Sequence, residues 1–125
     1  MDRRNSSFLC TTKIEAMIDW NDFEKIDMRI GTVIASEHFP EAKKPAYKLK
    51  IDFGELGILQ SSAQVTARYT VSDLVGQQVI AVVNFPPKQI GPFVSECLVM
   101  GVYAENNEVV LIQPDQMCPN GSKIG

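Results

Sequence analysis

The sequence predicts an all-β domain, a small barrel with short flanking helices. Residues 47–53 alternate strictly between apolar and polar side chains, which is typical of a strand with one buried face. Residues 79–83 hold four β-branched side chains in five positions and no polar one, which favours a strand buried on both faces. The 125 residues, of which 45% are hydrophobic, suit one domain with its own core.

The first elements are a helix and a long strand. Residues 19–26 predict a short helix that Asp19 or Asn21 caps, with Trp20 and Phe23 on one face. Residues 27–37 predict a strand, and Gly31 inside it predicts a bulge or bend. After a loop over residues 38–46, the alternating strand at 47–53 turns at residues 54 and 55 into a second strand at 56–60.

The second half repeats strands around one more helix. Thr70 with Asp73 three positions later predicts a capping box, and Gly76 predicts the end of that helix. The buried strand at 79–83 then leads through a proline-rich loop to a strand at 95–104 and a hairpin partner at 109–112. This order predicts a five-stranded Greek-key OB-fold barrel over residues 19–125. Residues 1–18 are polar and aperiodic and predict a disordered N-terminal extension. Because Met17 lies just before the first predicted helix, we expect it to be an alternative start of translation.

Composition excludes several classes of function. The net charge of −3 argues against a dedicated non-specific nucleic-acid binder, because phosphate contacts need basic residues. The apolar stretch after Arg4 is too short for a signal peptide, and no window is long enough for a membrane span, so we expect a cytoplasmic protein with no membrane insertion. Three scattered cysteines fit a reducing compartment. With His38 as the single histidine, we expect no metal, no cofactor and no enzymatic activity.

The stiff apolar loop over residues 84–93 is the candidate site. One interpretation is that its aromatic rings plug the end of the core. The other is that they line a groove for an extended, unfolded polypeptide, together with apolar residues from the 38–47 region. The residues of this predicted peptide-binding groove are Phe39, Pro40, Tyr47, Phe85, Pro86, Pro87, Ile90 and Phe93.

Basic residues supply an alternative site, for tRNA or other structured RNA. Phosphate contacts by lysines could be joined by exposed aromatics that stack on bases. An ordinary solvated strand face also explains Lys48 and Lys50. The candidate residues of this RNA site are Lys43, Lys44, Lys48, Lys50, Arg68 and Lys88.

Several segments carry a family resemblance. Residues 22–33 (DFEKIDMRIGTV), 84–88 (NFPPK), 95–96 (SE) and 119–124 (PNGSKI) resemble the tRNA-binding domains appended to methionyl- and phenylalanyl-tRNA synthetases. Residues 44–54 (KPAYKLKIDFG) and 61–64 (SSAQ) resemble the CsaA branch of that family. The resemblance implies a homodimeric OB-fold chaperone that binds unfolded exported preproteins and passes them to the secretion machinery, with the secretion motor as a candidate partner. Residues 88–93 (KQIGPF) stand where the tRNA-binding branch has a basic run, which weakens an RNA role.

The resemblance also implies a dimer interface. We expect that so small a barrel does not bury two apolar faces, that of the first helix and that of residues 98–102, and exposed apolar faces favour an interface. The candidate interface residues are Trp20, Phe23, Met100 and Val102.

Overall fold

The computed structural model describes residues 16–125, and its framework is a five-stranded antiparallel sheet that curls into a nearly closed barrel. This is the predicted OB-fold. The sheet has the order β3-β2-β1-β4-β7, and two further pairs, β5-β6 and β8-β9, form separate hairpins. The strands are β1 Met28–His38, β2 Tyr47–Asp52, β3 Ile58–Ala63, β4 Gln78–Val82, β5 Lys88–Ile90, β6 Phe93–Ser95, β7 Leu98–Val99, β8 Gly101–Tyr103 and β9 Val109–Leu111.

Strand β1 pairs with two neighbours. Its first half, from Met28 to Thr32, pairs with β4, and its second half, from Thr32 to His38, pairs with β2. The register shift lies between Val33 and Ala35 rather than at Gly31, so the predicted bulge is real but was placed too early. Gly31 serves a different purpose: a Cβ there would lie 2.6 Å from Ile51 and 2.7 Å from Phe53, so only glycine lets the core side chains of β2 approach β1.

The core forms where β2 faces the rest of the barrel. The alternation of residues 47–53 is confirmed, because Tyr47, Leu49, Ile51 and Phe53 are all buried. Val79 and Ala81 of β4 lie on the same core, and Leu74 closes it from the second helix.

Both predicted helices are present and both begin with a capping box. Helix α1, Trp20–Glu24, is capped by Asp19, whose carboxylate accepts the N–H of Asp22 at 2.8 Å. Helix α2, Val71–Leu74, is capped by Thr70, which exchanges hydrogen bonds with Asp73. The hydrogen bonds from Thr70 hold the pKa of the Asp73 carboxyl below its usual value. No helix within residues 16–125 is long and apolar enough to cross a membrane.

Some element bounds differ from the prediction. Strand β3 starts at Ile58, not 56, because a 3₁₀ turn occupies Gly54–Leu56. The expected loop at 84–93 contains the β5-β6 hairpin, so backbone pairing stiffens it as well as proline. The single strand expected at 95–104 is divided among the end of β6, β7 and β8. The predicted extension at 1–18 falls mostly on residues 1–15, outside the described residues.

The C-terminal segment is part of the fold. Residues 121–124 lie along β1 opposite β4: the N–H of Ile30 donates to the Ser122 carbonyl at 2.9 Å, and that of Gly121 donates to Ile30 at 2.7 Å. The side-chain amide of buried Gln78 donates to the Cys118 carbonyl at 2.8 Å. The sequence predicted only a coil tail here.

We predict that Gly31→Ala destabilises the protein. The new methyl group would meet Ile51 and Phe53 inside a packed core, and such overpacking costs about 1–3 kcal/mol. Urea unfolding should show a lower midpoint for Gly31→Ala, whereas Gly125→Ala, where nothing lies within 4 Å, should unfold like the wild type. Equal midpoints for Gly31→Ala and the wild type would contradict this account of Gly31.

Candidate functional site

An open cleft of about 410 Å³ lies between the proline loop and the edge of the sheet. We call it the Phe85 cleft. Phe85 is 55% exposed at one wall, and Leu98 is 49% exposed at the other. The lining residues are Ser62, Gln64, Phe85, Pro86, Lys88, Ile90, Ser95, Glu96, Cys97 and Leu98.

The side chain of Asn84 holds in place the segment that carries Phe85. Asn84 accepts the N–H of Asp27 at 3.0 Å and donates to the Lys25 carbonyl at 2.7 Å. These bonds tie the start of the loop to the junction between α1 and β1. Pro86 and Pro87 then restrict the backbone, so Phe85 stands in solvent on a stiff support.

The opposite wall is the outer edge of β3, and polar groups of residues 94–96 cover part of it. Glu96 donates its N–H to the Gln60 carbonyl at 2.8 Å, and its carboxylate accepts the Gln60 N–H at 2.9 Å. The Ser95 hydroxyl accepts the N–H of Ser62 at 3.1 Å. Sequence reasoning did not assign this wall, because the pairing of β3 with residues 94–96 is long-range. The only earlier signal was the place of Ser95 and Glu96 in the family resemblance.

Cys97 lies at the floor of the cleft and is buried. Burial, with a smaller contribution from the nearby Glu96 charge, raises the pKa of Cys97 to about 12. The thiol is therefore protonated at neutral pH and is a poor nucleophile. Within residues 16–125 no cluster of three or more His, Cys, Asp or Glu could hold a metal ion.

The predicted groove residues divide into three groups. Phe85, Pro86 and Ile90 line the Phe85 cleft, whereas Pro40 and Pro87 are exposed but do not line it.

Three predicted groove aromatics lie elsewhere. Phe39 is 4% exposed and packs edge-on against Phe93 at 5.3 Å between ring centroids. Tyr47 is buried, and its hydroxyl donates to the Tyr69 carbonyl at 2.8 Å. Phe39 and Tyr47 are thus buried, Phe93 of the loop is half-buried, and the structure brings none of the three to the Phe85 cleft.

Lysines and an aromatic ring meet at a second, smaller cleft of about 150 Å³, which we call the Lys48 face. The ammonium of Lys48 lies 3.6 Å from a Glu37 carboxylate oxygen and 5.6 Å from the centroid of the Phe39 ring. Its lining residues are Ala35, Glu37, Lys48, Leu49, Lys50, Gln60 and Phe93.

The other predicted RNA-site residues do not join that face as one patch. Lys43 and Lys44 are exposed in the 38–46 loop, and Lys88 lines the Phe85 cleft. Arg68 contacts Glu108 at 2.9 Å and Glu105 at 3.1 Å. The hydrogen bond to Glu108 is the main reason why the pKa of Arg68 is raised. Arg68 is thus a partner of acidic residues and is not part of the lysine cluster.

The predicted interface residues are partly open to solvent. Trp20 is 64% exposed and stacks on half-buried Phe23 at 5.3 Å between ring centroids. Val102 is exposed, whereas Met100 is half-buried.

Comparison with known proteins places the fold and the Phe85 cleft in context. The profile of the putative tRNA-binding domain family matches residues 28–123. The crystal structure of the chaperone CsaA from Bacillus anthracis is 56% identical, with a TM-score of 0.84 over 88% of this chain and 100% of that one. This chain belongs to the CsaA proteins of the tRNA-binding domain family.

Other family members differ in length. The CsaA chaperone of Picrophilus torridus is 51% identical, with a TM-score of 0.82 over 87% of this chain and 100% of that one. The methionine–tRNA ligase of Bdellovibrio bacteriovorus is 34% identical over 109 residues, which is 87% of this chain but 16% of the ligase. The chain therefore spans about a sixth of the curated ligases that it matches.

We predict that Cys97 resists alkylation. Its pKa lies well above the ordinary thiol value near 9, so the thiolate fraction stays small until the pH approaches 12. For the same reason its contribution to stability is complete below about pH 9 and is lost as the pH rises toward 12. Iodoacetamide at pH 8, followed by peptide mapping, should modify half-buried Cys118 faster than Cys97, and urea should remove the difference. Equal rates in the folded protein would contradict the assigned burial.

Proposed function

We propose that this protein is a chaperone that binds unfolded segments of exported preproteins in the Phe85 cleft and releases them to the secretion machinery. The observation that carries the proposal is an apolar cleft, open to solvent, with an exposed aromatic ring on a stiff support. Because Phe85 is already held in place, the protein loses little conformational entropy when a client binds.

The expected affinity suits transient capture. Burying one large apolar client side chain contributes about 1.5–3 kcal/mol before the costs of association. Several such side chains reach the ~8 kcal/mol that corresponds to micromolar binding. Such weak capture permits release to a next component.

The similarity to the two CsaA crystal structures supports this proposal, because both of those proteins are chaperones. We propose binding without catalysis, since the one thiol in the cleft is held protonated. Free thiols at Cys97 and Cys118 support a reducing cytoplasm as the place of action.

We also propose a homodimer in which exposed Trp20 and Val102 become covered, because two clefts per particle would add avidity on long clients. Light scattering that gives 13.9 kDa, the mass of one chain, would contradict the dimer.

A second candidate function is tRNA binding. The Lys48 face favours it, because cations there lie beside Phe93, a ring that could stack on a base. The family profile and the ligase relatives support it as well. Against it stand Glu37, which already pairs with Lys48, and the net charge of −3.

Titration at two salt concentrations separates the two functions. A labelled unfolded preprotein segment and labelled tRNA are each titrated with the protein at about 50 and 200 mM salt, a range over which phosphate-dominated binding weakens steeply. We expect peptide binding that survives the higher salt and tRNA binding that is weak and is lost. Tight tRNA binding without peptide binding would contradict the chaperone.

Phe85→Ser tests the cleft itself. The substitution removes an exposed ring, so we expect peptide affinity to fall about tenfold while the melting temperature stays within a few degrees. Ile58→Ser is the matched control, because Ile58 is equally exposed but does not line the cleft. Unchanged affinity for Phe85→Ser, or an equal loss for Ile58→Ser, would argue against the cleft.

Lysine variants test the tRNA alternative. If the Lys48 face binds phosphates, Lys48→Ala with Lys50→Ala should weaken tRNA binding and reduce its salt dependence by about two charges. Arg68→Ala should leave tRNA binding unchanged, because Arg68 is paired with Glu105 and Glu108. If Arg68→Ala weakens tRNA binding more than the double lysine variant does, the RNA site does not lie at the Lys48 face.

A further inference from the structure

The outer edge of β3 is only partly covered. Strand β3 ends the five-stranded order, so its outward backbone groups have no neighbour in that sheet. Residues 95 and 96 form hydrogen bonds with the outward backbone groups of Gln60 and with the N–H of Ser62. Beyond that point the edge is bare: among the described residues no hydrogen bond is made to the backbone of Gln64, which is exposed.

Two clefts meet at this bare edge. The second one, of about 380 Å³, shares Ser62, Gln64 and Leu98 with the Phe85 cleft and continues toward the β8-β9 hairpin. We call it the Tyr103 cleft, because Tyr103 is 78% exposed at its far end. Its remaining lining residues are Ala63, Val65, Val99, Met100, Gly101 and Val109.

We propose that a client binds by adding a short extended strand at the end of β3, where the Ser62 carbonyl and the backbone of Gln64 are open, with its apolar side chains in the two clefts. The proposal rests on the chaperone function proposed above. Unpaired strand edges are templates for pairing with another chain. In such an edge, residues 60, 62 and 64 point their backbone groups outward, since residues 59, 61 and 63 face β2.

This arrangement would make recognition largely independent of client sequence. The Ser62 N–H is already bonded to Ser95, so the open backbone groups are the Ser62 carbonyl and those of Gln64. They can pair with the backbone of any residue except proline, and the clefts accept any apolar side chain. The two clefts share Ser62, Gln64 and Leu98, and alternate side chains of an extended chain point to the same side, so one segment can place apolar side chains in both clefts. A chaperone with many clients needs that tolerance.

Charge complementarity selects among extended partners. Residues 16–125 carry nine Lys and Arg against thirteen Asp and Glu, a net negative charge. Glu105, which pairs with Arg68 but is 87% exposed, lies two positions after Tyr103 at the far end of the groove. An apolar segment with flanking lysines is therefore favoured over one with flanking glutamates, and a polyanion is disfavoured.

Backbone-methylated peptides test strand addition directly. The probe is a fluorescent peptide of roughly ten residues, about 33 Å when extended, with alternating leucine and serine and a lysine at each end. Two further versions carry N-methyl groups on alternate amides in opposite registers. We expect one register to lose about tenfold or more in affinity while the other binds within about twofold of the parent, because only one set of amides faces β3.

The outcomes distinguish a failure of strand addition from a failure of the chaperone function on which it rests. If the unmodified peptide does not bind, the chaperone function fails. If it binds and both methylated versions bind equally well or equally poorly, the function stands and strand addition is overturned. A version with glutamates at both ends should bind more weakly than the lysine version, and the reverse order would contradict the charge argument.

A pair of variants tests the edge from the protein side. Gln64→Pro removes the backbone N–H that would donate a hydrogen bond to a client carbonyl. Gln64→Ala keeps that N–H and loses only the side chain. Because the Gln64 side chain lines both clefts, the alanine variant is the reference for its loss. We expect peptide binding to be about tenfold weaker for Gln64→Pro than for Gln64→Ala, with melting temperatures measured for both. If Gln64→Pro instead changes the oligomeric state in light scattering and leaves peptide affinity unaltered, the edge is a contact between copies and the proposal is overturned.

Discussion

The double pairing of β1 is the constraint on which the rest of the structure depends. One strand serves β4 with its first half and β2 with its second, and the C-terminal segment lies along the edge that remains. This requires a close approach at Gly31, where Ile51 and Phe53 occupy the space of a side chain. The sheet can curl into a barrel because the register shifts once between Val33 and Ala35.

The same curling leaves the barrel incomplete at one place. Strands β3 and β7 end the sheet without pairing with each other, and residues 95–96 bridge only part of the gap. The Phe85 cleft lies beside that gap, and the Tyr103 cleft continues from it. Where the OB-fold fails to close, it exposes both backbone edge and apolar surface, which are the two features that an unfolded chain also exposes. A client strand bound at this gap would thus pair with the part of the β3 edge that the fold leaves unpaired.

Local patterns predicted the elements well where neighbouring residues decide the outcome. The alternation of residues 47–53, the cap of the first helix by Asp19 and the capping box at Thr70 depend on side chains within a few positions, and all three are confirmed. Predictions failed where distant segments decide. The tail at 121–124 became ordered because β1 had a free edge, and the strand expected at 95–104 was divided because its residues turn from β3 to the β8-β9 hairpin.

The sequence by itself determined the barrel class, the capped helices and the stiff proline loop that carries Phe85, since each follows from side-chain chemistry within one short stretch. Only the tertiary structure decided which aromatics are accessible. Phe39 and Phe85 are both phenylalanines beside proline, yet Phe39 packs against Phe93 while Phe85 faces solvent next to Leu98. It also decided that Arg68 belongs with Glu105 and Glu108 and not with the lysines. Burial and pairing arise from segments that are far apart in the chain, and the local sequence does not contain that information.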